Sequence, residues 1–279
     1  MRVFLVTILA AFLLQGCATP ALHQAAAKGD RAAVEKLLAD GAKIDQTDSA
    51  GRTALYFAAQ KGSNEIVKLL LAKGADPTHR SRFFPGNTPV HIAAQNGRDE
   101  TLRLFLFANI APDVRNHSQQ TPLMLAAWAR LPETVALLLS RGAKPGLQDR
   151  NGWSALHAPW NAKRSDPDYE EVMELLIKHK APVNLVTGNP FGYTPIMTAC
   201  QVGSLYVVKM LFDAGAEINL HNEDGATPYS IAASSHNQPI MSYLEEQGAM
   251  TKPNFYGKYE LRNPPPEPAS EPEPVQTTK

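Results

Sequence analysis

One phrase recurs along this 279-residue chain at a nearly fixed interval. It reads T-A-L-Y-F-A-A from Thr53, T-P-V-H-I-A-A from Thr88, T-P-L-M-L-A-A from Thr121 and S-A-L-H from Ser154. It returns as T-P-I-M-T-A-C from Thr194 and T-P-Y-S-I-A-A from Thr227, and a degenerate first copy, P-A-L-H-Q-A-A, begins at Pro20. The steps between copies are 33, 35, 33, 33, 40 and 33 residues. A unit of this length cannot bury its own apolar faces, so its core must come from stacking on its neighbours. The fold class that follows is an all-α repeat solenoid.

Each copy predicts its own local structure. Thr or Ser opens the phrase as an N-cap, accepting a hydrogen bond from an otherwise unpaired helix N–H. Proline in the next place suits the first helical position, where no donor is needed. The alanine pairs Ala58–Ala59, Ala93–Ala94, Ala126–Ala127 and Ala232–Ala233 let neighbouring helices approach closely. Gly62, Gly97 and Gly203 reverse the chain. A second helix follows, with apolar runs such as Ile66/Val67/Leu69/Leu70/Leu71 and Val135/Leu137/Leu138/Leu139. Gly41, Gly74, Gly142, Gly215 and Gly248, with Asn109 in the same slot, supply its left-handed terminus.

With cap, small pair, glycine and period in agreement, the chain resembles the ankyrin-repeat proteins, in seven copies from Pro20 to Ala249. The resemblance implies paired antiparallel helices with short β-hairpin fingers, and a surface that binds another protein without catalysing a reaction. It places the partner on the finger tips and on the positions after the small pair. Those slots hold Phe83 and Phe84 in repeat three, Trp128 in repeat four, Trp153 in repeat five, and Phe191 and Tyr193 in repeat six. Aromatic anchors of this kind dominate interface energetics. The resemblance also makes His23, His91 and His157 bridges between the backbones of adjacent repeats, and Cys200 a small core residue.

Repeat five departs from the pattern. Pro159 and Trp160 replace the paired alanines, and about five residues are inserted across Asn161 to Tyr169 before the second helix resumes at Glu171. Proline there should cut the first helix short, and Lys180 stands where glycine is usual. Asp166, Asp168 and Tyr169 read as a solvated acidic turn. Breaks in local consistency tend to fall at functional places, so the loop from Trp160 to Tyr169 is a second candidate contact.

The ends carry different signals. Arg2 followed by the apolar run Val3 to Leu14 is too short to span a bilayer, which takes about 20 residues. It reads as an export signal. Leu14-Gln15-Gly16-Cys17 resembles the lipobox of bacterial lipoproteins, which implies cleavage after residue 16 and acylation of Cys17. The expected layout is a signal peptide over 1–16, a lipidated N-terminus over 17–19, the repeat array over 20–250 and a Pro/Glu-rich tail over 251–279. Ala18 after the cysteine is similar to lipoproteins sorted to the outer membrane, facing the periplasm. The tail has the composition of a disordered segment.

Composition limits the partners. Lysine plus arginine balances aspartate plus glutamate at 27 each, and no basic run of the kind that follows phosphates is visible, so nucleic acid is not expected. No H-x-x-x-H, C-x-x-C, phosphate loop or G-x-S-x-G is present, so neither metal nor cofactor is expected. The sequence therefore reads as a non-enzymatic, membrane-anchored scaffold of a bacterial envelope that binds another protein. The alternatives are an immunity or inhibitor protein that neutralises a periplasmic toxin, and an envelope enzyme with its site in repeat five.

Overall fold

The structure is a computed structural model that describes residues 19–83, 85–157, 166–188 and 192–251. Among those residues it is all helical, with thirteen helices in two rows. The first-helix row comprises α1 (Ala21–Lys28), α3 (Ala54–Lys61), α5 (Pro89–Gln95), α7 (Pro122–Trp128), α10 (Pro195–Val202) and α12 (Pro228–Ser234). The second-helix row comprises α2 (Arg31–Ala39), α4 (Asn64–Ala72), α6 (Asp99–Phe107), α8 (Pro132–Ser140), α9 (Pro167–Lys178), α11 (Leu205–Asp213) and α13 (Gln238–Glu246). Outside repeat five, each first helix packs on its pair-mate, and neighbouring helices of the same row pack on one another. No helix among the described residues is long and apolar enough to cross a membrane.

The caps form where the phrase places them. Thr53 Oγ1 accepts from Tyr56 N at 3.3 Å, and Thr121 Oγ1 accepts from Met124 N at 3.3 Å. Caps of this type contribute about 1 kcal/mol each. Proline occupies the first helical position of α5, α7, α10 and α12. Ala58, Ala59, Ala93, Ala94 and Ala126 are completely buried, so methyl groups separate neighbouring first helices. Leu70, Leu102, Phe105 and Leu138 close the gap between the two rows. Asn109 and Lys180 take the left-handed conformation that glycine holds in the other repeats.

The fingers are turns, not strand pairs: among the described residues no strand forms. The turns are closed by backbone bonds such as Asp48 N to Arg52 O at 3.0 Å with Gly51 N to Asp48 O at 3.0 Å, and Asp149 N to Trp153 O at 2.8 Å with Gly152 N to Asp149 O at 3.1 Å. A side-chain oxygen replaces the missing ladder bonds. Asp149 Oδ1 accepts from Asn151 N at 2.8 Å and Trp153 N at 3.0 Å, and Asn116 Oδ1 accepts from Ser118 N and Gln120 N at 2.9 Å each. Successive tips are joined by single bonds, from Arg82 N to Ala50 O, His117 N to Pro85 O, Arg150 N to Ser118 O and Gly188 N to Asn151 O. A second ladder runs beneath them. Asp45, Asp113, Asn184 and Asn219 each accept from a backbone N–H of the next repeat, at 2.9–3.0 Å.

Repeat five corrects two expectations. Its second helix begins at Pro167, not Glu171, and runs twelve residues where its counterparts run nine. Most of the insertion therefore adds a helical turn. Asp166 is no solvated turn residue: it caps α9, accepting from Tyr169 N at 3.2 Å, and pairs with Arg130 at 3.2 Å. Tyr169 belongs to the core, at 1% exposure. Ser154 to His157 form a turn, with no helix among the described residues of that first-helix position. Pro159, Trp160 and the loop up to residue 165 lie outside the described residues.

Candidate functional site

The histidine ladder holds the surface in place, and its geometry shows what the histidines are for. His91 Nε2 donates to Gln120 O at 2.9 Å, the carbonyl just before the next phrase, while its Nδ1 faces Thr88 N at 3.4 Å and Thr88 Oγ1 at 2.8 Å. His157 repeats this, with Ser154 N and Oγ at 3.0 and 2.9 Å from Nδ1 and the carbonyls of Leu185 and Tyr193 at 3.2 Å from Nε2. Burial pushes both imidazoles down to about 4, so they are neutral at pH 7. The Ser154–His157 contact has the look of a nucleophile and base, but both side chains are completely buried. His157 spends its other nitrogen on carbonyls rather than on an orienting carboxylate. The same contact at Thr88–His91 marks it as a structural rung.

His23 is the instructive exception. Its Nε2 donates to Arg52 O at 2.9 Å, yet its buried Nδ1 has no partner. Pro20 stands where later repeats have Thr or Ser, and proline offers neither N–H nor hydroxyl. Pro20→Thr should supply both and raise the unfolding free energy by about 1–2 kcal/mol. Urea denaturation at pH 7.5 checks this, and an unchanged midpoint would contradict it.

The structure gathers three of the predicted contact residues around the His157 rung. Trp128, at the end of α7, donates its Nε1–H to Ser154 O at 3.2 Å. Trp153 packs edge-on against the His157 ring, with centroids 5.5 Å apart. Tyr193 lends its carbonyl to His157. All three are half-buried: Trp128 and Tyr193 pack partly against the core, and the Trp153 ring rests on His157, so each keeps only part of its surface free for a partner. Phe83 stands apart, on the finger of repeat three, and is 63% exposed. Phe84, Trp160, Phe191 and Cys17 lie outside the described residues.

Sequence reasoning missed other exposed apolar groups. Phe107 at the end of α6 is 69% exposed and lies under the Arg141 guanidinium at 4.7 Å, and Tyr206 on α11 is 50% exposed. Both occupy helix positions that the apolar period leaves outward, which is the signal that could have found them. Cys200 is completely buried in α10. Burial pushes its thiol far up, which keeps it protonated and unreactive. Among the described residues no group of three or more His, Cys, Asp or Glu could hold a metal ion.

Comparisons with known proteins agree with this architecture. The family of ankyrin repeats (three copies) matches residues 6–81, 78–149, 123–222 and 160–254. The Nuclear factor NF-kappa-B p105 subunit of Gallus gallus is 32% identical over 49% of this chain and 14% of that protein. The B-cell lymphoma 3 protein homolog of Mus musculus is 31% identical over 52% of this chain and 32% of its own length. The chain thus spans less than a third of either relative. The crystal structure of the ankyrin repeat domain of Bcl-3, a member of the IkappaB protein family, superposes with a TM-score of 0.64 at 27% identity, over 81% of this chain and 99% of that one. Phrase, stacking, histidine rungs and family match converge, and the chain belongs to the ankyrin-repeat family.

Proposed function

We propose that this protein is a non-enzymatic binding scaffold, tethered to a bacterial envelope membrane through Cys17, that holds another protein on the finger side of repeats three to six. The observation that carries the binding part is an aromatic side chain left half-exposed or exposed in each of four consecutive repeats: Phe83, Trp128, Trp153 and Tyr193. Finger closure fixes the backbones of Phe83, Trp153 and Tyr193, and helix α7 fixes that of Trp128, so little ordering entropy is lost when a partner docks. The reading is supported by the family match to ankyrin repeats and by the superposed ankyrin repeat domain of a member of the IkappaB protein family.

The experiment is capture from an envelope extract by Phe83→Ser and, separately, Trp153→Ser. Phe83 is exposed enough that its loss leaves the fold intact, with circular dichroism as the control. Each is expected to weaken capture about tenfold or more, the scale of an interface anchor. Equal capture by wild type and both variants would remove the surface from this role.

The tether rests on the basic start, the short apolar run and Leu14-Gln15-Gly16-Cys17. An acyl chain contributes about 0.8 kcal/mol per buried CH₂, so several chains hold a protein firmly on a bilayer. Cys17→Ser is expected to move the protein from the membrane pellet to the soluble fraction on cell fractionation. Retention in the pellet would end the lipid-anchor reading and leave the binding surface untouched.

A further inference from the structure

The linear sequence shows no basic run, yet stacking builds a basic edge from residues far apart in the chain. The tip-to-tip bonds His117 N to Pro85 O and Arg150 N to Ser118 O bring the fingers of repeats three, four and five into contact. These fingers carry Arg80 and Arg82, then Arg115, then Arg150. Arg80, Arg82 and Arg150 are exposed, and among the described residues none of them forms an ion pair. Arg115 is half-buried and spans two fingers, donating through Nη1 to Gln119 O and Gln148 O at 3.0 Å each, which fixes its charge at the seam.

The charge is local to this edge. Arg52, one finger earlier, is neutralised by Asp48 at 2.7 Å. The finger of repeat seven is acidic, with Glu223 and Asp224 exposed. The second-helix row carries exposed Glu65, Glu100, Glu133, Glu171 and Glu174. A net-neutral chain has thus placed unpaired guanidinium groups on one stretch of finger edge, beside the exposed ring of Phe83.

We infer that the fingers of repeats three to five receive an acidic polypeptide segment of the partner, with its carboxylates on Arg80, Arg82 and Arg150 and an apolar side chain on Phe83. This deepens the proposed function and rests on it. Guanidinium groups bind carboxylates through paired N–H donors, a geometry an exposed arginine can adopt without reorganising its finger. Two features favour a polypeptide over a nucleic-acid strand. The half-buried carboxylates of Asp113 and Asp149 sit in the same fingers and interrupt the positive potential that a continuous phosphate chain needs. The aromatic exposed beside the arginines is one phenyl ring, not a row on which successive bases could stack.

The test measures fluorescence anisotropy with two labelled probes, an alternating Glu-Leu peptide of about 20 residues and an oligothymidylate of similar length, against wild type and the triple variant Arg80→Glu/Arg82→Glu/Arg150→Glu. These side chains are exposed, and circular dichroism verifies that the variant is folded. The expected result is peptide binding by wild type that weakens at least tenfold between low and high salt, and at least tenfold on charge reversal. Equal peptide binding by the two proteins, or none by wild type at low salt, overturns the inference. Tighter binding of the oligothymidylate overturns it in favour of nucleic acid. Capture from envelope extract separates the two levels. Undiminished capture by the charge-reversed protein sinks the acidic segment alone, whereas no capture even by wild type sinks the underlying proposed function.

Discussion

Gly152→Ala should lower the unfolding free energy by about 3 kcal/mol, a large effect for one methyl group. Gly152 sits in the repeat-five finger at φ +75°, where an added Cβ would lie 2.5 Å from Gly188 N and 3.0 Å from Thr187 Cα. Those atoms are backbone, so they cannot rotate away. The left-handed conformation alone costs alanine about 1 kcal/mol. The remainder comes from pushing the next finger off, which breaks Gly188 N to Asn151 O at 2.6 Å and Gln148 Nε2 to Val186 O at 3.0 Å. Gly142→Ala is the matched control: its φ is +84°, and an added Cβ there meets nothing within 4 Å. It should lose only the conformational part. Urea denaturation followed by tryptophan fluorescence compares the two. If both variants lose the same amount, the tight packing of these fingers is wrong.

The second large effect is acid destabilisation through the histidine rungs. His91 and His157 titrate near 4 in the folded protein because burial disfavours the imidazolium, against an ordinary 6.5. Between those values the unfolded chain binds the proton and the folded chain does not, so stability falls as pH drops through 6.5 and levels off below about 4. Each rung should lose about 3 kcal/mol over that window, and above pH 6.5 neither adds any pH dependence. His91→Gln should be less stable than wild type at pH 7.5, because the carbonyl of Gln120 loses its donor. Its unfolding free energy should then fall less steeply from pH 7 to 4.5, by the share that His91 supplied. Urea midpoints at four pH values give the two slopes, and parallel slopes would contradict the assignment.

Much of this architecture is written in local sequence. Thr53, Thr88, Thr121 and Thr227 cap first helices because a hydroxyl at that position satisfies a helix N–H whatever lies farther away. The period places equivalent residues in equivalent surroundings, so His91 and His157 could be assigned to the rungs from their slot. Repeat five was less legible. A proline, a tryptophan and five extra residues mark a break, but only packing decided that the inserted stretch becomes helix with Tyr169 in the core. A tyrosine beside two aspartates is polar by local count, and its burial depends on what α10 leaves unfilled.

The sequence by itself determined the repeat, the caps, the small-residue slots and the resemblance to lipoprotein signals, because each depends on residues within a few positions of one another. Tertiary structure alone decided how exposed the aromatics are and how the charges combine. Trp128 and Trp153 are half-covered because Ser154 and His157 reach them from another repeat or turn. Arg80, Arg82, Arg115 and Arg150 form one edge because stacking sets residues about 33 apart side by side. Exposure and electrostatic potential are sums over neighbours in space, and a linear reading sees only neighbours in the chain.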